Sequence, residues 1–290
     1  MASSFFAANY SLNSTADFRD WMIKFDTAIR AGGIITSSDS GQLPLYTVNL
    51  PTASGHYPVY RIYQFNDALQ TSSGSVYIKV EFGAGNTTAL PQLRMQVANA
   101  TNGSGSVVGN GTTRTVIAGT ATGADTAPCY FSSTTSRLTF CIWATNQPGA
   151  SGFFSVERDH DGNGNDTPNY LYSVVGQGTN GGVISQTLPM NPSAAAPTAE
   201  SQICALAANN SVIMQFNNNI PFSAAVPLAG KFLNPSVCVG LVCSSDLQVG
   251  SIINVSHYGQ LQRWAVIGQT GTFRNFGNST TNFVFAMRHE

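Results

Sequence analysis

From Phe18 onward the apolar residues recur three and four positions apart, as Phe18, Trp21, Met22, Phe25 and Ile29. That spacing predicts a helix over about 17–31 with an aromatic stripe on one face. Ser14 stands three residues before Asp17, the arrangement of an N-cap, and Gly32-Gly33 ends the pattern. A stripe of this kind belongs in a core, so the helix is expected to dock on a sheet.

Beyond the helix the period changes to two. The segments 60–65, 76–82, 93–97, 137–143 and 153–158 alternate apolar with polar residues and are separated by Gly, Asn, Ser and Pro, which predicts antiparallel strands. Ile78, Val80 and Phe82 face one way while Tyr77, Lys79 and Glu81 face the other, as in a sheet with one wet face. Between Tyr57 and Phe65 large groups fall on both faces, so this strand is expected to be covered twice, by the core and by either the helix or a second subunit. Asn99 to Gly111 and Met190 to Gln202 read as loops or extended arms. The second of these is the candidate boundary. Residues 1–190 then form a helix plus an antiparallel β lobe, and residues 203–290 form a second β lobe or the remaining strands of one continuous sandwich. In that second part 212–216, 237–242, 252–255, 263–267 and 282–287 read as short strands. The expected fold is mainly β, with antiparallel sandwich-like lobes and one N-terminal amphipathic helix packed on the sheet.

Charge changes this picture more than any motif does. Only 9% of the 290 residues are charged, against about 25% in an ordinary soluble domain. Thirteen basic and 14 acidic side chains leave a net charge of −1, which supplies neither the electrostatic term of nucleic-acid binding nor a polybasic membrane patch. Nucleic acid and membrane are therefore excluded as main partners. A surface so poor in charge fits a subunit covered by neighbours in a permanent assembly. The amino terminus has no basic segment followed by a long apolar one, so folding in a cytosol is expected. The five cysteines (Cys129, Cys141, Cys204, Cys238, Cys243) show no Cys-x-x-Cys spacing and read as reduced structural residues.

Two segments have the residue types of a binding site. Asp159-His160-Asp161-Gly162-Asn163-Gly164-Asn165-Asp166 has oxygen ligands at alternate positions and Gly at the sixth, as in a calcium loop. Position twelve, however, is Tyr170 where a bidentate Glu is required, and the flanks read as strands, so the segment is expected to be a hairpin tip. Gly176-Gln177-Gly178-Thr179-Asn180-Gly181 matches a dinucleotide fingerprint, but Gly182 to Thr187 reads as extended where a helix N-terminus is needed. The histidines (His56, His160, His257, His289) are scattered, and no Gly-x-Ser-x-Gly elbow is present. No catalytic, cofactor-binding or metal-ligating residue is assigned, no cofactor is expected, and the chain is read as a non-enzyme.

Phe18-Arg19-Asp20-Trp21, leading to Gly32-Gly33-Ile34-Ile35 and Asp39-Ser40-Gly41-Gln42-Leu43, carries a family resemblance. So do Tyr60 to Gln70 running into Val76 to Gly85, Phe153 to Arg158 with its polar turn, and the ending Phe283 to Glu290. Together they resemble virion structural proteins of tailed bacteriophages, of the tail, baseplate or head-decoration class. The resemblance is strongest over the first hundred residues and weakest over about 185–235. It implies a virion component assembled in the host cytoplasm, placed first of all at the tail or baseplate, with other virion structural proteins and copies of itself as partners. A module binding a receptor or host-surface glycan is the first alternative reading, and a cell-wall-degrading enzyme the second.

Overall fold

The helix forms where the spacing places it. In the computed structural model, which describes residues 5–9, 13–53, 55–71, 74–84, 91–109, 114–117, 126–142, 152–161, 163–177, 183–190, 226–228, 240–244, 251–257, 260–269 and 283–288, α1 spans Thr15–Arg30. Ser14 Oγ accepts the Asp17 N–H at 3.1 Å, and Asp17 Oδ2 accepts the Asn13 N–H at 3.2 Å. These bonds satisfy donors that the first helical turn leaves open. Ala31 caps the other end, and Gly33, at φ 108°, turns the chain away through a conformation strained for other residues.

Every strand pairing among the described residues is antiparallel. A first sheet contains β2 (Ile35–Thr36), β3 (Val59–Gln64), β4 (Tyr77–Ala84), β5 (Pro91–Ala98) and β8 (Arg114–Ile117), in the order β2-β3-β4-β5-β8. A second contains β1 (Phe5–Asn9), β9 (Thr126–Thr134), β10 (Arg137–Ile142), β11 (Gly152–His160), β12 (Asp166–Gln177) and β13 (Val183–Met190), in the order β1-β9-β10-β11-β12-β13. The third contains β14 (Val226–Leu228), β15 (Gly240–Ser244), β16 (Ile252–His257), β17 (Gln260–Gln269) and β18 (Phe283–Arg288), in the order β14-β15-β18-β17-β16. A ribbon of β6 (Ala100–Thr101) and β7 (Val107–Val108) completes the described strands. The protein is thus mainly β and antiparallel, with one N-terminal α-helix among the described residues.

One apolar core is shared by the first two sheets, and α1 lies between them. The Phe25 ring stands nearly perpendicular to Phe82 of the first sheet at 5.6 Å, and to Phe131 and Phe140 of the second at 4.8 and 5.1 Å. Trp21 meets Phe82 edge-on at 5.6 Å. Such edge-to-face pairs add about 0.5–1.5 kcal/mol each beyond area burial. The helix therefore packs as a wedge between two sheets, where the periodicity alone suggested docking on one. Its polar side is tied in as well: Tyr63, fully buried, donates its hydroxyl to Asp26 Oδ1 at 2.9 Å, and Arg30 Nε holds Asp26 Oδ2 at 3.0 Å.

The far side of β3 corrects an expectation. It carries Tyr60 and Ile62, and Ile62 is fully buried although it lies outside the shared core. The helix is not what lies against it; residues 37–42 and the β6–β7 ribbon of the same chain do. Ser37 N–H donates to the Ile62 carbonyl at 2.8 Å, Gln42 Oε1 accepts the Ile62 N–H at 2.9 Å, and the Tyr60 hydroxyl donates to the Ser40 carbonyl at 2.9 Å. Asp39, buried beneath, gathers the Ser37 and Thr101 hydroxyls on Oδ1 at 3.0 and 2.8 Å and the Gly105 N–H on Oδ2 at 3.2 Å. Residues 99–109 are accordingly a fastened flap and not a free arm, because the buried Asp39 carboxylate would otherwise lose two of its three donors, those of Thr101 and Gly105. The expected strand at 212–216 lies outside the described residues, and so does the expected boundary Met190 to Gln202 except for Met190, which ends β13.

Candidate functional site

The second sheet has two buried faces of opposite character. On β9, β10 and β11 the period of two sends Phe131, Leu138, Phe140, Phe154 and Val156 into the shared core. The intervening Ser132, Arg137, Thr139, Ser155 and Glu157 point the other way, and each is at least nine-tenths buried. Thr139 Oγ1 and Ser155 Oγ share a hydrogen bond at 2.9 Å across the strand pair, and Arg137 Nη2 donates to Ser132 Oγ at 3.0 Å. This is a polar surface that something covers.

Part of the cover is β18 of the third sheet. Arg288 Nη1 reaches Glu157 Oε2 at 3.3 Å, while Arg137 is the direct cross-strand neighbour of Glu157. Two guanidiniums thus share one carboxylate. Burial, followed by repulsion from Arg288, pushes the Arg137 pKa down to about 10. Glu157 Oε1, Arg137 Nε and Arg288 Nε have no hydrogen-bond partner among the described residues. Arg288 stands directly opposite Trp264 on β17, so the two side chains share a face with Gln262 and Val266. Gln262, Trp264 and Val266 are all buried, and Trp264 Nε1 donates to Gln262 Oε1 at 3.1 Å.

At the rim of this face is the β11–β12 hairpin. His160 Nε2 and Asp166 Oδ1 are 3.2 Å apart. The hydrogen bond to Asp166 raises the His160 pKa, with the Glu157 charge acting in the same direction, and the bond to His160 lowers that of Asp166. Beyond them the chain reverses through 161–165, between the strands that the sequence led one to expect. Asp161 Oδ1 accepts the Asn163 and Asn165 N–H groups at 2.8 and 2.9 Å, and Oδ2 accepts Asn165 Nδ2 at 3.1 Å. These bonds, chiefly that of the Asn165 main chain, hold the Asp161 carboxyl below the ordinary range. The carboxylate closes its own turn, and Gly164 supplies the positive φ of 83°.

The glycine fingerprint has a different setting from the one nucleotide binding needs. Gly176 and Gln177 end β12, residues 178–182 lie outside the described residues, and the chain resumes as β13, antiparallel to β12 with Gln177 opposite Val183. Of the cysteines, Cys129 is buried in the shared core, whereas Cys204 and Cys238 lie outside the described residues. His56 lies exposed in the loop before β3.

Sequence reasoning identified the strands bearing Arg137 and Glu157 and a strand over 282–287 that stops one residue before Arg288, but gave these side chains no role. Their signal was the run of small polar and charged residues at alternate positions, which reads equally well as a wet face. Chemically, the two guanidiniums around the Glu157 carboxylate form a buried polar contact between the second sheet and β18 of the same chain. No protein-family model matches the chain, and no curated protein matches it.

Proposed function

We propose that this protein is a non-enzymatic structural component of a bacteriophage virion, associated with the tail or baseplate, that acts through contact with neighbouring structural proteins and copies of itself. The observation that carries the reading is the scarcity of free surface charge. Only 9% of the residues are charged, and several of those are already paired within the chain: Arg158 with Asp67, Arg288 with Glu157, Arg30 with Asp26, and Lys79 and Arg94 with Glu81. A surface this neutral invites association. The resemblance of the first hundred residues to virion proteins supplies the setting. The β3 strand contributes nothing to this reading, because its own chain covers it.

Assembly is favoured over glycan binding on a specific ground. Tyr57 and Tyr60, beside the outer face of the first sheet, have Arg94 and Lys79 over their rings at 4.8 and 4.7 Å. Those ring faces are engaged within the chain and do not offer a stacking platform for a sugar.

A particle reconstruction tests the proposal. The subunit is expected at regular positions, burying more than about 1,000 Å² against its neighbours, as specific interfaces do. Its absence from purified particles, or a position without substantial contact, would overturn the proposal.

A further inference from the structure

We infer that Asn163, at the tip of the β11–β12 hairpin, is a self-modification site: its side chain cyclises onto the Gly164 main-chain nitrogen and is converted to aspartyl and isoaspartyl residues, whereas the fold holds the Asn102–Gly103 pair of the flap unreactive. The inference is independent of the assembly role.

The chemistry is intramolecular. Glycine has no side chain to obstruct attack, and an amide nitrogen tethered beside a carboxamide meets it at high effective concentration. Once hydroxide removes its proton, the Gly164 nitrogen attacks Asn163 Cγ. The N–Cγ bond forms, the Cγ–Nδ2 bond breaks, and Nδ2 takes a proton from water and leaves as ammonia. Water then opens the cyclic imide at either carbonyl. Opening at Cγ restores the ordinary main chain with an aspartate, and opening at the main-chain carbonyl routes the chain through Cγ as isoaspartate. The sum is an amide and water giving a carboxylate and ammonium.

Exposure does not separate the two Asn-Gly pairs, since Asn102, Gly103, Asn163 and Gly164 are all exposed. Nor does the attacking nitrogen: the Gly164 N–H donates to the Asp161 carbonyl at 3.0 Å, and the Gly103 N–H to Thr101 Oγ1 at 3.1 Å. What separates them is the hold on the rest of the dipeptide. Asn102 Oδ1 accepts the Ser104 and Ser106 N–H groups at 2.9 and 3.0 Å, and the Gly103 carbonyl accepts the Ser40 N–H and hydroxyl at 3.0 and 3.1 Å. Turning the Asn102 carboxamide toward Gly103 breaks the first two bonds, and closing the main chain into an imide disturbs the other two. The Asn163 carboxamide has no hydrogen bond among the described residues; only its main-chain N–H is held, by Asp161 Oδ1 at 2.8 Å. Each conversion adds one negative charge to a chain of net charge −1. Isoaspartate also lengthens the main chain inside the span that the Asp161 N–H closes on the Asn165 carbonyl at 2.9 Å, which loosens the tip.

Full-length protein incubated at mildly alkaline pH in heavy-oxygen water, which labels each new carboxyl group, tests the inference, with one sample native and one unfolded in urea. Peptide mass spectrometry reads each site separately, including the pairs at 110–111 and 180–181, which lie outside the described residues. In the native sample Asn163 is expected to take up label roughly tenfold faster than Asn102, the rate equivalent of about 1.4 kcal/mol, which two hydrogen bonds supply. In urea the two sites are expected to react at similar rates. Equal rates in the native sample, or label at Asn163 only in urea, would overturn the inference. Asn163→Gln, whose longer side chain must close a larger ring, is expected to remove the label from its peptide and leave the melting temperature unchanged. Label persisting in that peptide at the wild-type rate, from Asn165 or Asn169, would equally overturn it.

Discussion

Arg158 grips Asp67 with two prongs, Nε to Oδ2 at 2.8 Å and Nη2 to Oδ1 at 3.0 Å, from a side chain only 1% exposed. The remaining nitrogen, Nη1, donates to the Gly74 and Pro168 carbonyls at 2.5 and 3.0 Å, and the guanidinium lies 5.2 Å from the Phe65 ring centre. One side chain of β11 therefore fastens the β3–β4 connection and the start of β12. Asp67→Ala is expected to cost about 3–5 kcal/mol, since it strands a buried cation. Urea denaturation checks this, and a cost within experimental error of zero would mean that water solvates Arg158 in the native state.

The aromatic wedge makes a second prediction. Phe25 contacts ring systems of both sheets, so Phe25→Ala is expected to cost about 3–5 kcal/mol. The loss should appear as one cooperative transition for both sheets, since they share the core. Two separated transitions in calorimetry would show that the sheets do not depend on the wedge.

Gly32 is required by proximity. A Cβ there would overlap the main-chain carbonyl of Ser133 on β9, while the Gly32 N–H donates to Ser133 Oγ at 2.8 Å. Gly32→Ala is expected to destabilise by about 1–3 kcal/mol through overpacking, against the usual gain from replacing glycine. Gly103→Ala is the comparison: a Cβ there meets nothing within 4 Å, so its cost is the positive φ of 75° alone. Thermal melts of the two variants side by side check the difference, and equal costs would show that Ser133 gives way.

The His160–Asp166 pair predicts a pH window. The His160 pKa is raised above 6.5 in the folded protein, so its contribution is fully present below 6.5 and lost as pH rises through the folded value. Asp166 is lowered from 3.8, so its contribution is present above 3.8 and lost as pH falls through the folded value. The stability difference between wild type and His160→Gln should peak between these limits and shrink on both sides. A difference independent of pH between 4 and 8, compared by thermal melts at about unit intervals, would refute the linkage.

For the 161–165 turn, calcium is expected to have no effect at sub-millimolar concentration, because Asp161 already accepts three hydrogen bonds from its own turn. Calorimetric binding tighter than about 0.1 mM that disappears in Asp161→Ala would reverse this reading, since even weak calcium modules reach that range.

Local pattern was enough for part of this fold. The three- and four-residue recurrence from Phe18 to Ile29 determined the helix, and alternation determined the strands around Val80, Phe140 and Val156, because a buried face imposes its period on the chain wherever the element is regular. It did not reveal β9. Thr126–Thr134 contains Pro128 and a run of Ser and Thr without apolar alternation, and the segment is a strand because β1 and β10 pair with it on either side. Nor did it reveal the flap over Ile62, where Asp39 meets Thr101 and Gly105 across more than 60 residues of sequence.

The candidate site divides the same way. From the sequence alone came the strands that carry Arg137 and Glu157, a strand ending just before Arg288, the turn chemistry of Asp161 and Gly164, and the low charge on which the proposed assembly role rests. Only the tertiary structure decided that the polar face of the second sheet is buried and that Arg288, 131 residues from Glu157, arrives there. The physical reason is that a polar residue at an alternate position has the same local pattern whether water or a second sheet lies against it. Which of the two does is set by contacts whose partners are remote in the chain.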